Sequence, residues 1–216
     1  GTVQDGYISG AEVILKNMDD SEIARYTTDA NGSFTGNGDE LYNGDLVKVI
    51  VTGGTGTDIS TQTAYSSTLQ YIGTLSSLGS IVVNPLSTLV ADSTLAEASA
   101  NGTDVTETLF NTNKTTIRTN LGLTEDEMDQ DFINNENANV ALIINKIELI
   151  KESFASGFTS ATTDTVSQSI ASAIKNKGGL FDFNSTTDIE LIGNNVNTTY
   201  GVGDESAKAT RIKEYL

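Results

Sequence analysis

Gly-Ser-Ile-Val-Val-Asn-Pro-Leu-Ser-Thr-Leu-Val, at positions 79–90, joins a β-branched run to the only proline of the sequence. The β-branched residues 81–83 favour a strand because their side chains fit a pleated sheet. The residue before a proline is held in extended backbone, which applies to Asn84, and Pro85 has the fixed φ of a first helical turn. We therefore expect strands before Pro85 and helices after it.

The composition excludes several classes of function. The 216 residues include 12 Lys+Arg and 29 Asp+Glu, for a formal net charge of −17, which makes nucleic acid and anionic membranes poor partners. There is neither Cys nor His, so thiolate chemistry, Cys-ligated zinc and His-dependent triads are excluded. No apolar run approaches the roughly 20 residues of a membrane span, and we expect no membrane insertion.

The chain is long enough for one large core or two packed ones. Since the residue pattern changes at Pro85, we predict an α+β protein with a β domain of residues 1–84 and an α-helical domain of residues 85–216. Both sides of Pro85 carry apolar faces, and no long linker follows it. We therefore expect one rigid unit, in which a substitution at Pro85 or Leu89 destabilises both parts together.

Apolar alternation predicts the strands. The segments 11–16 and 22–28 form a predicted hairpin, which the tight turn Asp-Ala-Asn-Gly at 29–32 follows. Leu-Val-Lys-Val-Ile-Val-Thr at 46–52 is the strongest strand pattern, and we place it at the centre of a sheet. One or two edge strands are expected around residues 68–74.

Helical periodicity begins after Pro85. We predict a capping box at positions 124–127 and two short helices at 188–196 and 206–216. Before them we predict two helices that end at glycines. The helix that ends at Gly102 carries one apolar stripe of Leu86, Leu89, Val90 and Ala96, and the helix that ends at Gly122 carries Val105, Leu109, Ile117 and Leu121. Two further helices are predicted from apolar side chains spaced three and four residues apart. Those side chains are Val140, Ile143, Ile144, Ile147, Ile150 and Phe154 in the first, and Val166, Ile170, Ala173 and Ile174 in the second.

Two motifs in the first part of the chain resemble a known β domain. They are Asp-Gly-Tyr-Ile-Ser-Gly-Ala-Glu-Val at 5–13 and Thr-Asp-Ala-Asn-Gly-Ser-Phe at 28–34. Together they resemble the carboxypeptidase-regulatory-like, or prealbumin-like, β-sandwich. Related sandwiches serve as stalks in surface proteins.

Four further motifs extend the resemblance over roughly residues 3–197. They are Val-Thr-Gly-Gly-Thr at 51–55, Val-Val-Asn-Pro-Leu-Ser-Thr-Leu-Val at 82–90, Leu-Gly-Leu at 121–123 and Gly-Gly-Leu-Phe-Asp-Phe at 178–183. Their order resembles a composite module of large bacterial surface proteins such as RTX-type adhesins, with phage virion proteins as an alternative setting. The resemblance implies an antiparallel prealbumin- or Ig-like β-sandwich packed on a C-terminal helical bundle, with no catalysis.

Calcium is the one cofactor that the acidic turns suggest, because it needs oxygen ligands. The alternative is that these residues are solvated and serve turn geometry alone. The segment 16–22 is short and begins with a lysine, where similar modules carry an acidic insertion, so we expect weak calcium binding or none. The candidate ligands are Asp19, Asp20 and Glu22 in one turn, Asp29 and Asn31 in the next, and Asp39 and Asp45 in the third.

These observations favour a non-enzymatic structural or adhesion module of an extracellular surface or filament protein, with a virion protein as the alternative. Its partners would be neighbouring modules or subunits, which it would contact through strand edges near Tyr7 or 68–74 or through the terminal helix. A second hypothesis is a module that binds a glycan or peptide. A third is a hydrolase with two carboxylates about 5 to 10 Å apart, although no pair stands out among the 29 acids.

Overall fold

The computed structural model describes residues 1–36, 45–74, 81–158 and 160–200, together with Ile212. The described part of the chain is a mixed α and β protein, with strands before Pro85 and helices after it, as the sequence predicts. The strands are β1 (Thr2–Val3), β2 (Ile8–Ser9), β3 (Glu12–Asn17), β4 (Glu22–Thr27), β5 (Leu46–Val51), β6 (Thr57–Asp58), β7 (Thr63–Ala64), β8 (Leu69–Thr74) and β9 (Val82–Val83). The helices are α1 (Pro85–Asn101), α2 (Glu107–Asn120), α3 (Glu125–Asp129), α4 (Ala138–Gly157), α5 (Thr163–Asn176) and α6 (Thr186–Tyr200).

The largest sheet is antiparallel and has the strand order β4-β3-β5-β8. The prediction that β5 lies inside a sheet is confirmed, as is the prediction of an edge strand at β8. A three-stranded sheet has the order β2-β6-β7, and β1 pairs in parallel with β9. The β1–β9 pairing joins the start of the chain to the residues just before Pro85.

One apolar core lies among these strands. Val13, Val51 and Leu69 are neighbours across three strands, and all three are fully buried or nearly so. They share a cluster with residues of the two smaller sheets and of adjoining loops. That cluster contains Val3, Ile8, Ala11, Val13, Leu15, Val47, Val49, Val51, Tyr65, Leu69, Ile81 and Val83.

The transition at Pro85 has the predicted geometry. Asn84 is the N-cap of α1 in extended backbone, and Pro85 occupies the first helical position. The Asn84 side chain accepts a hydrogen bond from the Ser87 N–H at 2.9 Å, and the Ser87 hydroxyl accepts one from the Asn84 N–H at 3.0 Å. This reciprocal capping fixes the direction in which α1 leaves the strand. The helix ends as predicted, with Gly102 in the left-handed conformation.

The first turn of α1 covers the edge of β8. The Gln70 N–H donates to the Thr88 hydroxyl at 2.9 Å, and the Ser87 hydroxyl donates to the Gln70 carbonyl at 2.7 Å. The backbone groups of an edge strand would otherwise be open to pairing with another chain. The sequence predicts that the segment 68–74 offers an exposed edge to partners. At Gln70, however, its backbone is hydrogen-bonded to the first turn of α1.

A second core lies among the helices and includes a side chain from the sheet. All ten apolar residues predicted for the two long stripes are buried, which confirms α4 and α5. Ile72 of β8 belongs to the same cluster, and Leu46 and Met18 pack against it. The strand and helix parts therefore share apolar contacts as well as the covered edge.

Helix α1 is buried on nearly all sides, whereas the sequence predicts a single apolar stripe. Its buried positions include Thr88, Asp92, Ser93 and Thr94, because α1 lies between β8, α2, α4 and α5. The polar side chains are tolerated there because they form hydrogen bonds, such as that from the Thr94 hydroxyl to the Val90 carbonyl at 2.7 Å.

The remaining helices differ from prediction in detail. In α2 the buried apolar side chains are Phe110 and Ile117, and Leu109 is half-buried. The capping box that opens α3 is confirmed, and α6 is longer than the predicted 188–196. The predicted helix 206–216 lies outside the described residues apart from Ile212, which is buried. None of the described helices is long and apolar enough to cross a membrane.

Candidate functional site

The first predicted calcium turn satisfies its acidic side chains internally. Asp19 accepts hydrogen bonds from the Ser21 N–H at 2.9 Å and from its hydroxyl at 2.5 Å, which lower the pKa of Asp19. Asp20 binds the Lys48 ammonium at 2.6 Å. Glu22 pairs with Arg25 at 2.8 Å, and this contact lowers the pKa of Glu22. Each acid thus has a partner that accounts for its position in the hairpin.

The other predicted calcium residues are separate from this turn. Asp29 accepts from the Asn31 N–H at 2.8 Å and from the Ser33 N–H at 2.9 Å, which shapes the turn before Phe34. Asp45 is exposed just before β5, and Asp39 lies outside the described residues. In the described ranges no group of three or more acidic side chains has an arrangement that could hold a metal ion. The calcium site in these turns stays a prediction, and turn geometry explains the acids whose contacts are described.

A different set of acids meets between the strands and α4. Asp5, Asp58, Glu148 and Glu152 line a cavity of about 300 Å³, which we call the acidic cavity. Its wall also contains hydroxyl and amide side chains from the β6–β7 region and α4, including Ser60, Ser67, Tyr65 and Asn145.

The strand side of the acidic cavity depends on a glycine. Asp58 is buried and accepts hydrogen bonds from the Ser60 N–H at 2.8 Å and hydroxyl at 2.7 Å. A Cβ atom on Gly6 would lie 2.3 Å from the Asp58 carboxylate and 2.8 Å from the Ser60 hydroxyl. The missing side chain at Gly6 therefore lets the loop that carries Asp5 approach Asp58.

On the helix side of the cavity, Glu148 is paired with a buried lysine. Lys151 of α4 is 1% exposed, and its ammonium donates to the Glu148 carboxylate at 2.8 Å. Tyr65 is also buried; its hydroxyl lies beside Ser67 and Glu148 but makes no hydrogen bond of standard geometry. The acidic cavity therefore has an excess of acceptors and a buried hydroxyl without a well-formed hydrogen bond.

Burial and mutual repulsion change the protonation of these groups. Burial, followed by the charge of Glu148, raises the pKa of Asp5 to about 8, although Lys151 opposes the shift. Burial also raises the pKa of Glu148 in spite of the lysine contact. The pKa of Tyr65 is raised by burial first and then by Glu148 and Asp5. Asp5 is therefore mostly protonated at neutral pH.

Sequence reasoning missed this cavity. Its one local signal is Lys151, which lies four residues after Ile147 and three before Phe154, on the apolar stripe of α4. A charged side chain in such a stripe predicts a buried acidic partner. Within the cavity, Asp58 is bonded to Ser60 and Glu148 is paired with Lys151, so neither carboxylate is without a partner.

A second buried acid joins the two parts of the molecule near β8. Asp92 of α1 accepts from the Ser167 hydroxyl at 2.7 Å and from the Gln70 side-chain amide at 3.4 Å. Burial raises the pKa of Asp92 to about 7. The contacts tie α1 to α5 and to the sheet.

Two more hydrogen bonds connect the strand part to the helical part. The Thr68 N–H donates to Asp164 of α5 at 2.9 Å. The Tyr7 hydroxyl donates to the Asp131 carboxylate at 3.1 Å. Within the strand part, the backbone carbonyl of Tyr7 accepts from the Ile59 N–H at 3.0 Å. The Tyr7 segment, predicted as a free edge, is therefore also engaged within the chain.

The raised pKa of Asp92 predicts that stability falls as the pH rises from about 4 to about 7. The folded state keeps a proton in this range that the unfolded state releases, so each pH unit costs up to about 1.4 kcal/mol for one such group. Urea denaturation at several pH values measures the slope. Asp92→Asn should flatten it while keeping an acceptor for Ser167, whereas Asp104→Asn, at an exposed site, should not. An unchanged slope in the Asp92 variant would contradict the assignment.

Comparison with known proteins gives no family for this chain. No family model matches it, and neither a curated protein nor a solved structure is significantly similar to it.

Proposed function

We propose that the chain is a non-enzymatic structural module of a large extracellular surface or filament protein, where it acts as a spacer or scaffold. In this proposal the strand part is a prealbumin- or Ig-like sandwich and the helical part is a bundle, and the two form one rigid unit. A spacer holds its neighbours at a fixed distance only if its own parts do not move independently.

The observation that carries the proposal is the boundary between strands and helices. Ile72 reaches the helical core, α1 covers the edge of β8 at Gln70, and Thr68 is bonded to Asp164. Apolar and polar contacts occur at the same boundary, which is typical of a permanent interface within one unit rather than of a hinge.

The composition supports an external location. A net charge of −17 keeps a protein soluble and discourages nonspecific association, and a chain without Cys does not depend on redox conditions. The expected partners are neighbouring modules or subunits on a cell surface, with a virion as the alternative setting. In the largest sheet, β4 is an end strand that pairs only with β3 among the described strands, so its outer edge is one place for a strand from such a neighbour.

Immunogold electron microscopy on native cells or particles tests the location. Antibodies raised against the chain should label the outer surface, or a virion in the alternative case. Label confined to the cytosol would contradict the proposal.

A glycan and peptide array separates the spacer from a ligand-binding module. The spacer proposal expects no saturable binding by the isolated chain to either class. Reproducible saturable binding to one glycan or peptide class would overturn it in favour of the second hypothesis.

A further inference from the structure

The acidic cavity concentrates more negative charge than the chain itself neutralises. Asp5 and Asp58 come from the strand side and Glu148 and Glu152 from α4, whereas the described ion pairs include only Lys151 as a cation for these four acids. Placing like charges together in a partly buried space costs free energy unless a cation enters it. Lys151 pairs with Glu148, and Asp5 is mostly protonated at neutral pH, so Asp58 and Glu152 are the two acids left without a cation among the described ion pairs.

The Tyr65 hydroxyl is a second and independent indication of a ligand. It lines the cavity, its residue is 8% exposed, and it lacks a well-formed hydrogen bond. Buried hydroxyl groups in proteins almost always have a partner. A polar molecule in the cavity would supply one.

We propose that the acidic cavity binds a small organic cation that carries a primary ammonium group, such as an alkyl diamine. An ammonium group has three donors and no acceptor, which matches a wall of carboxylate and hydroxyl oxygens. The volume of about 300 Å³ is at the lower end of small-molecule sites. A metal ion is less suited, because in the described residues no three acids have an arrangement that could hold one.

The protonation of the site links binding to pH. Asp58 of β6 and Glu148 and Glu152 of α4 face Asp5, and all three raise its pKa, as burial does, while Lys151 lowers it. A bound ammonium would favour ionised Asp5 and release its proton. We therefore expect the affinity for a diamine to increase as the pH rises from 6 to 9, and binding to release protons to the buffer.

Isothermal titration calorimetry of the whole chain with 1,4-diaminobutane, in about 150 mM salt to screen surface charges, tests the proposal. We expect saturable binding of one diamine per chain, none of 1,4-butanediol, and affinity that rises with pH. Chemical shift changes should centre on Tyr65, Ser67 and Glu148. The diamine site does not rest on the spacer role. A chain that binds no diamine leaves the spacer proposal standing, and a chain that binds diamine but fails the location test leaves the site standing.

Matched variants test whether diamine binding depends on the cavity or on surface charge in general. Glu148→Gln and Asp58→Asn should each weaken diamine binding about tenfold or more, because each removes a charged acceptor. Glu125→Gln removes the same charge from an 81% exposed side chain on α3 and should leave binding unchanged. Equal losses in all three variants, shift changes spread over the acidic surface, or tight Ca²⁺ binding without diamine binding would overturn the proposal. Shift mapping on the unaltered chain remains decisive if a cavity variant fails to fold.

Discussion

Replacing Leu89 with Ala should lower the free energy of unfolding by about 3 kcal/mol and should destabilise the strand and helix parts together. Leu89 is fully buried in α1, next to the turn of that helix which covers the edge of β8. The smaller side chain leaves a cavity at the boundary, and little of it can be refilled because α1 is enclosed by β8, α2, α4 and α5.

Two optical signals report on the two parts of the Leu89→Ala variant. Five of the seven tyrosines precede Pro85, so tyrosine fluorescence follows mainly the strand part, whereas circular dichroism at the helical minimum follows the helices. In urea the two curves should shift by the same amount and remain superimposed. Leu142→Ala makes the same chemical change at a 52% exposed site of α4 and should cost far less. Two separate transitions would contradict the single rigid unit.

The local parts of this fold are predictable because their signals lie within a few residues. Asn84 and Pro85 specify the start of α1, Thr124 and Glu127 specify a capping box, and the stripe of α4 gives its buried face. These features rest on backbone geometry and helical periodicity, which neighbouring side chains determine.

The burial of α1 is an example of what such signals miss. Asp92 and Ser93 look like solvent-facing residues, yet they are buried because α5 supplies Ser167 and α2 supplies Asn113 as partners. Polar residues at buried positions depend on partners that are distant in sequence. Periodicity in α1 alone cannot indicate which side chains will supply them.

The acidic cavity is hidden from the sequence for the same reason. Asp5 lies in the loop that follows β1, and β1 is held in place by parallel pairing with β9. The two strands are about 80 residues apart in the chain. Glu148 is more distant still, and the 29 acids offer no reason to choose these four. Lys151 alone was recognisable, as a charge in an apolar stripe.

Replacing Lys151 should cause the second large loss of stability. Lys151→Met should cost about 3 kcal/mol at pH 8, because it keeps the apolar volume but leaves Glu148 buried without a counterion. The loss should shrink at pH 5, since Glu148, whose pKa is already raised by burial, can then become neutral. Urea denaturation at the two pH values measures the difference.

A double variant shows whether the cost comes from the unpaired acid or from packing. Adding Glu148→Gln to Lys151→Met removes the buried charge, so much of the lost stability should return at pH 8. Lys114→Met breaks the pair with Asp129, whose members are 24% and 49% exposed, and should cost less than about 1 kcal/mol. A Lys151 variant no worse than the Lys114 variant, or a double variant without recovery, would contradict a charge-compensating role. Recovery would show that Lys151 stabilises the fold by compensating the charge of Glu148.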